Sequence, residues 1–194
     1  MTERKRVLLD VDGVIADFLT PAIQVMEEVS GQPLHPEALN DWNLFRNYDG
    51  KTRNKFYEVF HSKGWCLNLK PYEGALEGVT MLRTEADVYF VTSPMHGPHW
   101  AYERACWLQK HFDAKLDHII QTNAKHVCTG RALVDDKPDH VVNWQRANPK
   151  SVAILWDRPY NKEPTSGPVR GIRCSAWTTV LEVVMGDWYI SDYV

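Results

Sequence analysis

Two carboxylates with one residue between them follow an apolar run near the start of the chain. The segment Arg6 to Asp10 is predicted to be a short buried strand, because a continuous apolar run ends there in acidic residues and glycine. Alternate side chains of an extended chain share a face, so Asp10 and Asp12 can both point toward one ligand. Gly13 would let the chain turn sharply beside that ligand. Taken alone, this segment is explained about as well by a solvated Asp-Gly turn.

An EF-hand calcium loop also begins with Asp-x-Asp, and the sequence excludes it. Such a loop needs glycine at its sixth position and glutamate at its twelfth. In a loop that starts at Asp10, glycine comes too early, at Gly13, and Pro21 stands at the twelfth position.

A second acidic pair follows another apolar run. Ala132 to Val134 is predicted to be a strand, and Asp135 and Asp136 come directly after it. Magnesium usually takes one or two carboxylates together with phosphate and water, so one carboxylate from each of two strand ends would suit it. The alternative is a simple turn at the end of the strand, which Pro138 would also favour.

Groups that can bind phosphate occur at two further places. Thr92 and Ser93 end an apolar run and offer hydroxyl and backbone N–H groups for phosphate oxygens, although such residues also commonly end strands. Lys125 precedes the strand that leads to Asp135 and could neutralise charge on a transferring phosphoryl group. Most lysines in loops are simply solvated, so Lys125 is a candidate only because the other candidate residues occur with it in the sequence.

The pattern of apolar runs predicts the elements that would position these residues. Strands are expected at 6–10, 88–91, 118–120, 132–134, 151–156 and 171–174, and helices at 21–30, 53–62, 75–84, 100–112, 141–146 and 177–185. Ser175 is the predicted N-cap of the last helix. Residues 157–168, which contain three prolines, are predicted to be a surface loop.

This alternation predicts an α/β fold with a mostly parallel sheet and helices on both faces. In such sheets ligands bind outside the carboxyl ends of the strands. That rule selects Asp10 to Asp12, Thr92–Ser93 and Asp135–Asp136 together.

Composition restricts the classes of function. The chain has 194 residues, 44% of them apolar and 24% charged, which is typical of a globular protein with a core and a small cap or insertion. A net charge of -3 gives no broad cationic field, which disfavours a nucleic-acid polymer as ligand. The four cysteines form no C-x-x-C pair, and neither a signal peptide nor a membrane span is visible. We expect a cytoplasmic protein without a membrane partner, and a homodimer is left open.

Aromatic residues are concentrated between about residues 31 and 71, in a stretch that is otherwise polar. They are Trp42, Phe45, Tyr48, Phe56, Tyr57, Phe60 and Trp65. We interpret the stretch as a small helical cap. Nucleobases stack on aromatic rings with about 1–3 kcal/mol each, which favours a nucleotide ligand over a sugar phosphate. The alternative is that these rings form the core of the cap itself.

As a set, these residues resemble a known family. Asp10 to Val14, Thr92–Ser93, Lys125 and Asp135–Asp136 occur in the order of the four motifs of haloacid-dehalogenase-superfamily phosphatases. Within that superfamily the chain looks most like the 5'(3')-deoxyribonucleotidases, through DVDGVIADF at 10–18, PYEGA at 71–75, TSP at 92–94 and DDKPD at 135–139. The resemblance implies a haloacid-dehalogenase-like Rossmannoid core at 1–16 and 72–194, with a small helical cap at 17–71 inserted after the first strand.

The resemblance also implies the chemistry of the site. Asp10 would be the nucleophile that forms an aspartyl-phosphate, and Asp12 the general acid and then the general base. Mg²⁺ would be held by Asp10, the backbone carbonyl of Asp12, and Asp136. Asp135 would not bind the ion itself but would hold the residues that do in position. The phosphate would be held by Thr92, Ser93 and Lys125.

For the substrate pocket the resemblance points to aromatic residues. Phe18 matches a family position that lines the base pocket, Phe60 falls where the family has a tryptophan, and Trp42 lies close to another aromatic position of the pocket. Asn123 stands where the related enzymes have an arginine, so a substrate contact from that position is not expected here.

The expected function is magnesium-dependent hydrolysis of nucleoside monophosphates, in particular 5'(3')-deoxyribonucleotides. Two alternatives stay open at this point. One is a phosphatase of the same fold that acts on a sugar phosphate or another small phosphomonoester. The other is a nucleotide-binding regulatory module that has lost turnover.

Overall fold

The computed structural model describes residues 4–35, 39, 41–162 and 171–186. In chain order its strands are β1 Lys5–Leu9, β2 Ala16–Asp17, β3 Lys70–Pro71, β4 Ala86–Thr92, β5 Ile119–Gln121, β6 Ala132–Asp135, β7 Val152–Trp156 and β8 Gly171–Cys174. Its helices are α1 Leu19–Ser30, α2 Gly50–Phe60, α3 Ala75–Glu85, α4 Trp100–Phe112, α5 Pro138–Ala147 and α6 Trp177–Met185. Among these described residues, no helix is both long and apolar enough to cross a membrane.

A parallel sheet forms the centre of the fold, with its strands in the order β5-β4-β1-β6-β7-β8. β1 lies in the middle, where Val7 pairs with Val88 of β4 on one side and with Ala132 of β6 on the other. Because the strands are parallel, their carboxyl ends lie along one edge of the sheet. The predicted α/β architecture is confirmed.

The two faces of the sheet are both covered by helices, as the near-continuous apolar strands predict. Val7 and Leu9 pack on one face with apolar side chains of α3, α4 and α6, whereas Leu8 packs on the other face against Val141 and Trp144 of α5. Alternate side chains of β1 therefore enter opposite layers of the core. Packing on both faces holds the carboxyl end of β1 in place.

Local signals in the sequence set several helix ends. Gly31 ends α1 in the left-handed conformation, with φ 68°. The Asp49 side chain caps α2 by accepting a hydrogen bond from the backbone N–H of Thr52, and Pro138 occupies the first turn of α5. These ends agree with the helical patterns of the sequence to within a few residues.

An antiparallel ribbon lies where the chain leaves the sheet region and returns to it. β2 pairs with β3, with Ala16 opposite Pro71 and Asp17 opposite Lys70. Between them, α1 and α2 form a separate apolar cluster. Its fully buried members include Ala22, Met26, Phe56 and Phe60. α1 and α2 thus share a small apolar cluster that is separate from the clusters on the two faces of the sheet.

Two local predictions were wrong. The N-cap of α6 is Ala176 rather than Ser175, and no side chain caps this helix. The segment after β7 is not simply a surface loop, because Tyr160 and Asn161 are buried. Both residues bind the acidic end of β6, a tertiary contact that local propensity does not reveal. The predicted loop from residue 163 onward lies outside the described residues.

Candidate active site

The ends of three neighbouring strands bring the predicted chemical groups together. Asp10 follows β1, Thr92 ends β4, and Asp135 ends β6. Lys125 lies between two of these ends and is 1% exposed. Its Nζ is 2.7 Å from Asp10 Oδ1 and 2.7 Å from Asp135 Oδ2. A single buried cation therefore joins the two acidic strand ends.

The carboxylates form a tight buried cluster. Asp10, Asp135 and Asp136 each offer an oxygen atom within 4.8 Å of the others. Burial, followed by the charge of Asp135, raises the pKa of Asp10 well above its ordinary value and that of Asp136 to about 7. Burial alone would also raise the pKa of Asp135, but Lys125 and His140 outweigh burial and hold that pKa below its ordinary value. If all three were ionised, the carboxylates would carry more negative charge than Lys125 neutralises.

Three groups contact the carboxylate of Asp135. Its Oδ1 accepts from the backbone N–H of Lys137 at 2.9 Å, and its Oδ2 accepts from Lys125 at 2.7 Å and lies 3.2 Å from His140 Nδ1. These contacts leave it suited to supporting its neighbours rather than binding a ligand.

The turn after Asp10 requires glycine, because the chain passes very close to the second acidic strand end. Gly13 has φ +79°, and a Cβ atom there would lie 2.0 Å from Asp136 Oδ2 and 2.5 Å from the hydroxyl of Tyr160. The Arg158 guanidinium donates to the backbone carbonyl of Gly13 and lies 3.7 Å from the centre of the Tyr72 ring. The loop is thereby fixed on both sides.

Asp136 is positioned by the segment after β7. The hydroxyl of Tyr160 donates to Asp136 Oδ2 at 2.5 Å, and the Asn161 side-chain amide donates to the backbone carbonyl of Asp136 at 2.7 Å. These bonds fix the carboxylate of Asp136 beside Asp10.

The predicted phosphate-binding hydroxyls differ in their surroundings. Thr92 is 1% exposed, and its Oγ1 has no hydrogen-bond partner among the described residues. Ser93 is half-buried, and its Oγ makes one long contact of 3.5 Å with the carbonyl of Thr122. Buried hydroxyls normally have partners, so the free hydroxyl of Thr92 suits an anionic ligand at this edge.

The carboxylate of Asp12 is not part of the acidic cluster of Asp10, Asp135 and Asp136. Its Oδ1 lies 2.5 Å from Nη2 of Arg104, a residue of α4, and its side chain is 27% exposed. Asp10 and Asp12 are thus held by different cations, Lys125 and Arg104.

The donor set of the acidic cluster suits a divalent metal ion. Oxygen ligands from carboxylates are those that hard cations prefer, and the excess negative charge of three buried carboxylates favours a cation beside them. We therefore regard Asp10 and Asp136 as residues that can hold such an ion.

Comparisons with known proteins agree with this geometry. Residues 4–187 match the family described as 5' nucleotidase, deoxy (pyrimidine), cytosolic type C protein. The chain belongs to this family. A mitochondrial 5'(3')-deoxyribonucleotidase of Mus musculus is 32% identical over 182 residues, covering 89% of this chain and 81% of the relative. The cytosolic-type 5'(3')-deoxyribonucleotidase of Homo sapiens is 29% identical over 187 residues, covering 92% of each chain.

Solved structures show the fold. A haloacid-dehalogenase-family hydrolase of Deinococcus radiodurans has a TM-score of 0.61 at 13% identity, covering 93% of this chain and 95% of that structure. The predicted haloacid-dehalogenase-like fold is therefore confirmed. Family membership makes the protein an enzyme, a phosphoric monoester hydrolase of the 5'-nucleotidase type.

The predicted pocket residues of this family member do not all lie together. The rings of Phe18 and Phe60 are 5.5 Å apart, and Phe18 also contacts Trp65 and Trp100. Trp42 is 42% exposed and belongs to a different contact, in which Lys137 Nζ lies 3.9 Å from the centre of its ring. Both Phe18 and Trp42 are accessible enough to meet a ligand.

Phe60 has a different environment. It is 1% exposed and packs in the core of the cap, so its ring offers no face to a ligand in this structure. For this residue the structure favours the alternative interpretation, in which the aromatic side chain stabilises the cap.

Several residues of the site were not predicted from the sequence, among them Arg104 and Tyr160. Arg104 carries a signal, because it is a charged residue on the apolar face of α4 between Trp100 and Trp107. Tyr160 follows the end of β7, which neighbours β6 in the sheet. The rule that ligands bind at the carboxyl edge could have selected it, but the prolines nearby suggested a surface loop.

Proposed function

We propose that this protein is a Mg²⁺-dependent phosphatase that hydrolyses nucleoside monophosphates, with 5'(3')-deoxyribonucleotides as its substrates and an aspartyl-phosphate on Asp10 as its intermediate. The observation that carries the proposal is the contact of Asp10 with the buried Lys125, 2.7 Å away, beside the unpartnered hydroxyl of Thr92. The substrate class is supported by the names of the relatives from mouse and human.

In this proposal Mg²⁺ is held by Asp10, by the backbone carbonyl of Asp12 and by Asp136, while Asp135 supports the site through its bonds to Lys125 and Lys137. Bound there, the ion would neutralise charge on the phosphoryl oxygens. Thr92, Ser93 and Lys125 hold those oxygens from the protein side.

Asp10 and Asp12 divide the chemistry. A carboxylate oxygen of Asp10 bonds to phosphorus as the bond from phosphorus to the nucleoside oxygen breaks, and Asp12 gives its proton to that leaving oxygen. Asp12 then takes a proton from water, whose oxygen bonds to phosphorus as the bond to Asp10 breaks. Inorganic phosphate and the nucleoside are the products.

The cap at residues 17–71 provides the nucleoside side of the site, and residues 1–16 and 72–194 form the catalytic core. This division is supported by the ribbon of β2 and β3 and by the separate apolar cluster of α1 and α2. Phe18 and Trp42 are the proposed contacts of the base. We also propose a cytoplasmic location, and a homodimer stays a prediction.

The test is phosphate release from a panel of phosphomonoesters, with Mg²⁺ and with a chelator. The panel contains 5' and 3' deoxyribonucleotides, ribonucleotides and sugar phosphates. We expect chelation to abolish release, nucleotides to be preferred, and Asp10→Asn to lower the rate by more than about 10³-fold.

Asp87→Asn is a matched control, because Asp87 is an exposed carboxylate paired with Arg4. Uniform activity on sugar phosphates would overturn the substrate class. Full activity of Asp10→Asn would overturn the nucleophile.

A further inference from the structure

Arg104 is buried more deeply than its charge would normally allow. Its side chain is 0% exposed, and its guanidinium carbon lies 5.2 Å from the ring centres of both Trp100 and Trp107. Arginines are almost never fully buried unless they are paired. The group that pairs with Arg104 must therefore account for the burial of its charge on α4.

That partner is Asp12 alone, as far as the described residues show. Nη2 of Arg104 lies 2.5 Å from Asp12 Oδ1, whereas Nε and Nη1 are buried without a hydrogen-bond partner. Leaving donors of a buried cation unsatisfied is costly for folding. A buried cation that has unsatisfied donors and contacts an active-site residue is a candidate for a functional role rather than a stabilising one.

The helix that carries Arg104 is firmly attached to the chain that returns from the cap. Glu103 accepts hydrogen bonds from the backbone N–H of Gly64 at 2.7 Å and of Leu67 at 3.3 Å. The Trp107 indole donates to the carbonyl of Leu69 at 2.7 Å. Arg104 lies between these two attachments, so its guanidinium has a fixed position relative to both the cap and the sheet.

We propose that Arg104 is the positioning residue of Asp12, a role that rests on the proposed phosphatase function. The ion pair holds Asp12 Oδ1, so the other oxygen, Oδ2, is the one that carries and exchanges the proton. Arg104 stays charged throughout. The ion pair keeps the carboxylate of Asp12 outside the cluster of Asp10, Asp135 and Asp136.

The proposal predicts a dependence on the leaving group. A nucleoside oxygen needs the proton of Asp12 to leave, whereas a nitrophenolate leaves without one. Both substrates give the same phosphoenzyme on Asp10, and its hydrolysis needs Asp12 as the base. In R104M the nitrophenyl ester should still phosphorylate Asp10 rapidly, and hydrolysis should then be slow. Release of nitrophenol should therefore show a burst of about one equivalent per active site.

The experiment compares R104M, R104K and wild type in the full chain with Mg²⁺, by rapid mixing with p-nitrophenyl phosphate and by steady-state turnover of a deoxynucleoside monophosphate. We expect R104M to lower kcat for the nucleotide by about 10- to 100-fold without a burst of nucleoside. This is less than the roughly 10²–10⁴-fold typical of general acid–base catalysis, because Asp12 itself is still present. R104K keeps one charged donor and should recover part of the rate.

R83M is the matched control for folding effects. Arg83 also packs against a ring, 5.6 Å from the centre of Phe90, and donates to the carbonyl of Phe112, but it lies away from the site. R83M should show neither the burst nor the dependence on leaving group.

The turnover rate of a double variant tests the same proposal independently. Because Arg104 acts through Asp12, the rate of the D12N/R104M double variant should equal that of D12N. If R104M instead slows phosphorylation by both substrates equally and gives no burst, or if the losses of the two variants multiply, the proposal is overturned. A wild type that turns over the nitrophenyl ester but no nucleotide would overturn the proposed substrate, while the burst would still decide the role of Arg104.

Discussion

The carboxyl of Asp136 is buried, and its ionisation lowers the stability of the protein without metal. Asp136→Asn should therefore raise the stability of the metal-free protein. Burial, followed by the charge of Asp135, raises the pKa of Asp136 from 3.8 to about 7. One pH unit corresponds to about 1.36 kcal/mol, which sets a ceiling of about 4 kcal/mol on the penalty for ionising this group. The hydroxyl of Tyr160 can still donate to the asparagine oxygen. We therefore expect a gain of about 1–3 kcal/mol in the free energy of unfolding at pH 8.

The sign of this effect depends on pH. The folded-state pKa of Asp136 is higher than the unfolded one, so the contribution of this group to stability is fully present below about pH 4 and is lost as pH rises from there through about 7. At pH 5 the folded carboxyl is still largely protonated but the unfolded one is ionised, so about a third of the stabilisation by Asp136→Asn should already be present. At pH 8 it should be complete.

The assay is urea unfolding in the presence of a chelator at both pH values, repeated with Mg²⁺. Added Mg²⁺ should stabilise the wild type but not Asp136→Asn. Asp157→Asn serves as a control of opposite sign. Burial raises the pKa of Asp157, but the hydrogen bonds and charges of Lys162 and Arg173 together outweigh burial and lower that pKa, so the variant should lose at most about 1 kcal/mol. An Asp136→Asn variant that is less stable than wild type at pH 8 without metal would refute the reasoning.

Three further changes test individual contacts. Gly13→Ala should lower stability by about 1–3 kcal/mol and abolish turnover, because φ is +79° and the added Cβ would clash with Asp136. Gly31→Ala is the control: φ is +68° but the space around the added Cβ is open, so only stability should fall. Unfolding and turnover assays on both variants test this. Lys125→Met should cost about 3–5 kcal/mol in urea unfolding, because two buried carboxylates lose their cation; unchanged stability would contradict this. Phe18→Ala should raise KM for nucleotides about tenfold, as expected for the loss of one stacking contact, and leave inhibition by inorganic phosphate unchanged.

The sequence predicts the parts of this fold that depend on local patterns. α4 begins at Trp100 and ends at Phe112 as predicted, because apolar residues recur along one of its faces. The carboxyl-edge rule correctly brought Asp10, Thr92 and Asp135 to one place, since each directly follows or ends an apolar run.

The remaining parts of the site depend on contacts that are distant in sequence. Tyr160 is buried by its bond to Asp136, and no local pattern distinguishes it from a residue of a surface loop. Arg104 meets Asp12 only because α4 packs beside the first strand end. Phe60 could belong to a pocket or to the core of the cap on sequence alone, and only its packing separates the two.

The most direct test of the central claim is to trap phosphate on the chain. The wild type is mixed with a labelled deoxynucleoside monophosphate and Mg²⁺, quenched within one turnover, and digested for peptide mapping. We predict that the label is bound to Asp10 and absent from Asp10→Asn, and that in Asp12→Asn a label delivered from p-nitrophenyl phosphate, whose leaving group needs no proton, persists longer because no base activates water. Rapid turnover with no label on Asp10 at any quench time would contradict the account.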